Sequence, residues 1–497
     1  MLPLLLLLGI AFMLYSICLT LYRLVLSPMA KFPGPKLAAA SMWYEFYYDV
    51  IQHGQFYKEI ERMHSIYGPI VRINPHEVHV RDPDWYNELY AAGGRRRDKS
   101  GWFVGRSGGQ SIFGTVHHDL HRLRRSALNP FFSKSSVAAL EPLIQDKVNK
   151  LGHALSPHVE SGTAIELHTA FIALTLDVIS GYAFGNSFGL VEKPGFDSEW
   201  KTAISSMIEA GISNRHLPWL ADIMMNLPDS VAATISPPVA FFLKIQKDIR
   251  KVVEHTLASR SEESKSPRTI FQELRDSSLP PQEKTIERLM DEGLILVGAG
   301  GETTAQTLAG LTFHLLSNPD KLHKLTEELK QAIPDPQNPP SWQKLEQLPY
   351  LRATILEAHR VQAVITTRLI RIAPNEALQF REWTIPPNTP VSMSTHYMHL
   401  DANYFPEPYR FDPDRWLGPA QGLEKYVIPF SRGTRACIGL HLASAELHLT
   451  VASLFRRFEF ELYETCYKDV EITWDGFSGG FSPESKGVRI KVVKEIS

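Results

Sequence analysis

The stretch FSRGTRACIGLHLA, Phe430 to Ala443, sets Cys437 between two glycines, two residues after an arginine and just before a helix-like run. A lone cysteine is ordinarily a small buried apolar residue. Here its neighbours point to chemistry. Gly433 and Gly439 are expected to turn with positive φ and let the backbone lie close to a flat ligand. Phe430 can cover the face of such a ligand, and Arg435 can meet an anionic group on it. A helix from about Ile438 would place its N-terminal dipole and free amides at the sulfur, favouring thiolate over thiol. A thiolate on a glycine-lined turn is suited to ligating iron.

A second constellation sits upstream. AGGETT, Ala299 to Thr304, puts an acid and a hydroxyl side by side at Glu302 and Thr303. The preceding GAGG lacks the third glycine of a dinucleotide loop, Thr303 standing in its place, so the segment reads as part of a helix. Each glycine inside a helix costs about 1 kcal/mol relative to alanine. Three in four positions therefore call for a compensating close approach, such as that of O2 and a cofactor. Glu357 and Arg360, at i and i+3, would by default be a solvated pair worth a few tenths of a kcal/mol. His117, His118 and His121 could be proposed as a metal cluster, but Asp119 is the lone acid among them and no cysteine is near, so they do not read as a metal site.

These residues need a frame. The 497 residues are 44% hydrophobic, ample for a large core. The 52 basic and 54 acidic residues give no global attraction to nucleic acid. Three scattered cysteines, Cys18, Cys437 and Cys466, form neither a disulfide framework nor a zinc site. Leu2 to Tyr22 carries no charge; as a helix of about 31 Å it matches a hydrocarbon core of about 30 Å. It lacks the basic leader and small-residue cleavage site of a secretory signal. Arg23, Lys31 and Lys36 follow it, which places the C-terminal body in the cytoplasm. Residues 23–36, ending in FPGPK, read as a basic, proline-stiffened linker, and residues 37–497 as one domain. Alternating patterns at Gly68 to Asp82 and Arg368 to Thr395 predict strands; residues 118–365 are dominated by helical periodicity, broken by polar loops such as Ser259 to Thr269. A mainly α protein with small sheets follows.

Phe430, Gly433, Arg435, Cys437 and Gly439 match FxxGxRxCxG, and the chain thereby resembles the cytochrome P-450 family over about residues 32–490. AGGETT resembles that family's acid and threonine segment, EAHR (Glu357 to Arg360) its ExxR, and FDPDRW (Phe411 to Trp416) its FxPERF element. The resemblance implies the P-450 fold, haem b with Cys437 as thiolate iron ligand, and a Glu357, Arg360, Arg415 brace. It implies Glu302 and Thr303 in proton delivery, and haem-propionate partners at His121 and Arg125, in the WxxxR helix, and at Arg368. Two features depart from the pattern: His121 stands where tryptophan is usual, and the proline expected after ExxR is missing from Arg360 to Arg368. Glu302 replaces the commoner aspartate and keeps the acid.

RRSALNPFFS and NTPVSMSTHYMHLDANYFPEP are most similar to fungal secondary-metabolism members near trichodiene oxygenase. This implies oxidation of a lipophilic terpenoid or polyketide by O2. Electrons would come from a separate NADPH-dependent reductase, and the protein would be anchored in endoplasmic reticulum lipid. Walls of the substrate pocket are expected within Trp102 to Phe113, Leu296 to Ala299, Ala363 to Thr366 and Gly476 to Phe481. A haem-thiolate isomerase or dehydratase, or a haem-binding membrane protein without activity, are the other readings.

Overall fold

The computed structural model describes residues 2–105, 108–259, 268–418 and 422–496. Parts of the expected polar loop at 259–269 and of the pocket segment 102–113 therefore lie outside the described residues. Helix α1, Leu2–Leu21, continues as a wider turn to Leu26. Pro3–Leu26 is a 24-residue apolar run with none of it buried, whereas the other helix of comparable apolarity is 83% buried in the body. The stretch read as a linker is partly docked: Met29 and Phe32 join the core beneath the main sheet, and Arg72 donates its amide to the Pro33 carbonyl at 2.7 Å.

That sheet contains β1 (Ile70–Arg72), β2 (Val78–Val80), β3 (Asp98–Lys99), β4 (Arg371–Ile372) and β5 (Pro390–Ser392), in the order β1-β2-β5-β4-β3. The expected turn at Asn74 is present. Its Oδ1 accepts the amides of His76 and Glu77, both at 2.9 Å, which closes the β1-β2 hairpin. β2 runs parallel to β5, so the sheet joins the two strand-rich regions recognised in the sequence across about 300 residues.

The helical body is built on α2 (His118–Leu128), α3 (Lys134–Leu155), α4 (Leu167–Phe184), α5 (Glu199–His216), α6 (Ile286–Leu316), α7 (Pro349–Gln362) and α8 (Leu440–Arg457). α4 and α8 are buried along most of their length, and α6 runs unbroken through the glycine-rich stretch. The reason for those glycines differs from the expected one. A Cβ at Gly301 would lie 2.6 Å from Leu176 Cδ2, and one at Gly300 would lie 3.2 Å from Ile179. Two of the three glycines thus let α4 pack directly on α6, where Thr175 Oγ1 reaches the Gly301 carbonyl at 2.7 Å. Only Gly298 faces open space.

Glu357 and Arg360 are not a solvated pair. Both are fully buried, 2.8 Å apart, and Arg415 joins Glu357 at 3.1 Å. Trp416 Nε1 and the Asp412 amide fill the remaining acceptor sites of Glu357, both at 2.9 Å. Arg360 also donates to the carbonyls of His399, Pro408 and Arg410. The charges are enclosed but almost completely hydrogen-bonded, the condition under which a buried pair is tolerated.

Several histidines are held neutral in this interior. Burial lowers His64, His359 and His396 to about 4 and His399 to about 3. In the unfolded chain they titrate near 6.5. Between these values the unfolded state binds more protons than the native state, so stability is fully present above about pH 6.5 and is lost as pH falls toward 4, by up to about 1.4 kcal/mol per histidine per pH unit. The melting temperature is expected to fall steadily from pH 7 to pH 5; a flat profile over that range would contradict neutral burial.

Candidate active site

The cysteine loop is pinned at both ends. Gly433 has φ +74°, and a Cβ there would lie 2.4 Å from the carbonyl oxygens of Tyr90 and Ala91, so the expected glycine requirement holds. At Gly439 it does not: φ is −83° and the residue caps α8, which begins at Leu440 rather than Ile438. The Cys437 amide closes the loop on the Phe430 carbonyl at 2.8 Å. The Phe430 ring meets His359 of α7 edge-on at 5.2 Å, and this fixes its orientation. Cys437 has accessible surface yet lies deep in the body. Burial pushes its thiol up; the Gly439 amide and Arg125 pull it down, and burial is the larger effect. The expectation that the helix terminus alone favours thiolate is thus corrected. A coordinated metal ion, which deprotonates a thiol outright, has to supply the rest.

Beside this loop converge Lys99 from β3, His121 and Arg125 from α2, Arg371 from β4, and Arg435. Burial pushes each basic group down, and repulsion by the neighbouring cations adds to it at Lys99, His121 and Arg435. Lys99 lies well below its usual range through burial, Arg371 and Arg435. Arg435 is lowered to about 9 through burial, Arg371 and Arg125, with Asp98 opposing. His121 is lowered to about 2 by burial and the four cations. Arg371 is lowered by burial, against the smaller pull of Tyr90 and Tyr86. Their hydrogen bonds go mainly to carbonyls. Lys99 Nζ donates to Phe113 (2.6 Å), Arg435 to Arg97 (3.0 Å) and Thr115 (2.7 Å), and Arg371 to its neighbour Ile370 (3.0 Å). Arg125 reaches the Ala436 carbonyl at 2.5 Å, next to the cysteine. Buried like charges without counter-charge are costly. A flat ligand with two carboxylates on one edge supplies that counter-charge, and haem b with its propionates has this shape, so the residues present fit the group.

Arg368 does not belong to this cluster, contrary to expectation. Its guanidinium is enclosed by Glu77, at 2.8 Å, and Glu45, in a tight ion pair. The residue that faces the cluster is Arg371, three positions on, and Lys99 joins it; neither was singled out from the sequence. Both had a signal: Arg371 is the second arginine of RLIR, and Lys99 ends the basic run RRRDK.

Glu302 and Thr303 diverge. Thr303 donates to the Ala299 carbonyl at 3.0 Å and is partly accessible, and Ala299 is exposed within a helix otherwise largely enclosed. Glu302 is buried on another face, with Oε1 3.2 Å from His168 Nε2 of α4. Near the expected pocket walls, Phe103, Val104 and Ile370 cluster with Trp102 and Phe477, and Phe113 meets Phe477 edge-on at 5.5 Å. The segment lacking the expected proline is fixed in another way. Ala363 ends α7 in the left-handed region, Ile365 bridges to Ser478, and the Gly479 amide donates to Val364 at 2.8 Å.

The two arginines separate by measurement. Arg371→Met is expected to speed haem loss several-fold with little change in melting temperature. Arg368→Met strands two buried carboxylates and is expected to destabilise the chain by about 3 kcal/mol. Haem release to an apo-globin acceptor and denaturant unfolding distinguish them; equal haem retention in Arg371→Met and wild type would remove Arg371 from the cluster's role.

Comparison with known proteins agrees with the geometry. The chain is 43% identical over 492 residues to the tryptophan 6-hydroxylase fscE of Fusarium equiseti, covering 98% of this chain and 96% of that one. It is 44% identical over 463 residues to the conidiogenone synthase PchP450 of Penicillium rubens, covering 92% and 93%. It is 40% identical over 494 residues to the cytochrome P450 monooxygenase TRI4 of Trichoderma arundinaceum, covering 97% and 95%. With the Cytochrome P450 family model matching residues 33–491, nearly the whole body around Cys437, the chain belongs to the cytochrome P450 family of haem-thiolate monooxygenases.

Proposed function

We propose that this protein inserts one oxygen atom from O2 into a lipophilic fungal secondary metabolite, a terpenoid or polyketide intermediate. It would do so at the endoplasmic reticulum membrane, with its body in the cytoplasm, and would receive electrons from a separate NADPH-cytochrome P-450 reductase. The observation that carries the reading is the buried basic cluster beside the Cys437 loop. The aromatic and aliphatic residues about Trp102, Phe103, Phe113 and Phe477 suit an apolar substrate. Fungal relatives named as a tryptophan 6-hydroxylase and a P450 monooxygenase support oxidation of a small metabolite.

Within this reading Cys437 would ligate the haem iron as a thiolate, and Gly433 keeps its loop against Tyr90 and Ala91. Lys99, Arg371, Arg435 and Arg125 would hold the two carboxylates of the haem, with His121 as a neutral donor beside them. Haem supplies the binding and activation of O2. Thr303, whose hydroxyl donates to Ala299, retains acceptor capacity for a water and can fix it near the reacting oxygen. Glu302 carries protons to that water, while the aromatic wall keeps bulk water out.

Cys437→Ala is expected to abolish the thiolate-type carbon monoxide spectrum of the reduced protein. Thr303→Ala should keep that spectrum and substrate binding but divert NADPH electrons to peroxide, lowering product per NADPH. A wild-type yield would remove Thr303 from the proton path. Conversion of substrate without O2 or reductase would favour an isomerase instead.

The anchor has its own test. Deleting residues 1–22 spares Met29 and Phe32 in the core, so haem binding should persist while the protein leaves the membrane. Leu37, Trp43, Ile51 and Trp219 are exposed on the body. Quantitative pelleting of the truncated chain with membranes after a high-salt wash would shift the main attachment from α1 to that surface.

A further inference from the structure

We propose that His168 is the residue from which Glu302 receives its protons, by way of a side cavity that opens between α4, α5 and the C-terminal loops. The proposal rests on the monooxygenase reading and on Glu302 serving its proton path.

Glu302 and His168 are each about 6% exposed. They stand 3.2 Å apart across the contact between α6 and the first turn of α4. Their alignment is too poor for a hydrogen bond. His168 Nε2 and Glu302 Oε2 both lack a hydrogen-bond partner among the described residues. Leaving such groups buried and unsatisfied is costly. A brace like Glu357 and Arg360 fills its acceptor sites; this pair does not, which fits a site where water and a proton come and go.

Both side chains line a cavity of about 220 Å³. At about 30 Å³ per molecule in the liquid, this is room for several waters. Lys201, Ser205, Asp469, Ser482 and Ser485 line the same cavity and give those waters polar partners. The neighbouring Pro483 and Glu484 are exposed, so the loop side borders solvent. Thr303 is not among the lining residues. Successive helical residues diverge by about 100°, so Glu302 faces the cavity while Thr303 projects elsewhere. The carboxyl at Glu302 is thus the group placed to connect the two sides of α6.

The charged groups facing His168 are few. Glu302 comes from α6, Lys201 from α5 and Asp469 from the loop after residue 466. Glu166, at the start of its own helix, accepts the His168 amide at 3.1 Å and is held by Lys201 at 2.8 Å. The Phe481 ring lies edge-on at 6.4 Å. Lys201 and Glu166 offset one another, which leaves Glu302 as the direct partner of the imidazole. Imidazole changes charge near neutral pH, unlike any other unperturbed side chain. In the proposed step the Nε2–H bond of protonated His168 breaks, its electron pair stays on nitrogen, and the proton passes through a cavity water, which gives up one of its own, to a Glu302 carboxylate oxygen. The acid then releases it to a water on the Thr303 side, and His168 regains a proton from cavity water. No oxidant or reductant is consumed.

The test uses the full-length holoenzyme with reductase and substrate. His168→Gln is expected to keep the carbon monoxide and substrate-binding spectra. Its product per NADPH should fall about tenfold, less than the 10²–10⁴ typical of a positioned acid or base because water can bypass the imidazole. The pH profile of product yield should change and the solvent isotope effect should rise. Ser482→Trp, which fills the cavity mouth and leaves His168 in place, should raise the isotope effect likewise. Independently of turnover, the ¹⁵N signal of His168 Nε2 should move in Glu302→Gln. If Thr303→Ala uncouples the enzyme while His168→Gln matches wild type in yield, pH profile and isotope effect, the relay is overturned and the oxygenase reading stands. An unchanged ¹⁵N signal of His168 Nε2 in Glu302→Gln overturns it as well.

Discussion

Four cationic side chains and a neutral histidine are crowded into one buried place, with Asp98 the carboxylate among the described residues that offsets them. Like charges at close range in a medium of low polarity repel strongly, and they forgo the water that would otherwise solvate them. The folded chain tolerates this because each group comes from a differently anchored element: β3, β4, α2 and the cysteine loop. Backbone carbonyls absorb part of the charge. The remainder is what a dianionic edge would neutralise. The thiol nearby has the complementary difficulty, since burial raises it and only a metal ion returns it to thiolate. A planar group that carries both a metal and two carboxylates resolves the two problems at once, which is why the site reads as one site.

The rest of the body serves to hold those elements still. Glu357 is the acceptor at the centre of a network in which every strong donor is matched, so the charge is buried without being stranded. Losing one partner of such a network costs about 3–5 kcal/mol, because the others are left charged and unsolvated. On the opposite flank the α4 and α6 backbones approach across Gly300 and Gly301, where a single added methyl group would collide with Leu176. Ionic closure on one side and bare backbone contact on the other keep α6 in register with the cysteine loop.

The legible parts of this design were those carried by residue type within a short span. Five positions of the cysteine loop, the acid and hydroxyl of α6, and the spacing of Glu357 and Arg360 all lie within single segments. So does the apolar N-terminal run. What the sequence left open depends on partners far along the chain. Arg368 and Arg371 are three apart near a strand whose side chains alternate, so they point to opposite sides. Which side holds carboxylates depends on Glu45 and Glu77, about 300 residues earlier. Lys99 closes a basic run that resembles a solvated face until β3 pairs with β4 and draws it inside. The glycines of α6 were readable as a cost but not as a cause, because the cause is Leu176 on another helix. Gly439 resembled a φ-positive turn by type alone, and its backbone angle is ordinary.

α6 therefore does three things with one short run of sequence. Gly300 and Gly301 bind it to α4, Ala299 and Thr303 give it an open face with a hydroxyl, and Glu302 turns from that face to His168. A helix advances about 100° per residue, so adjacent residues cannot share a face. That geometry separates the acid from the hydroxyl in space while keeping them covalent neighbours. A carboxyl turned wholly to the threonine side would lose the polar cavity, and in the proposed relay one turned wholly to the cavity would not reach a water placed by Thr303. Glutamate has one more rotatable bond than the aspartate commoner at this position, and the extra reach is what a group serving both sides of a helix requires.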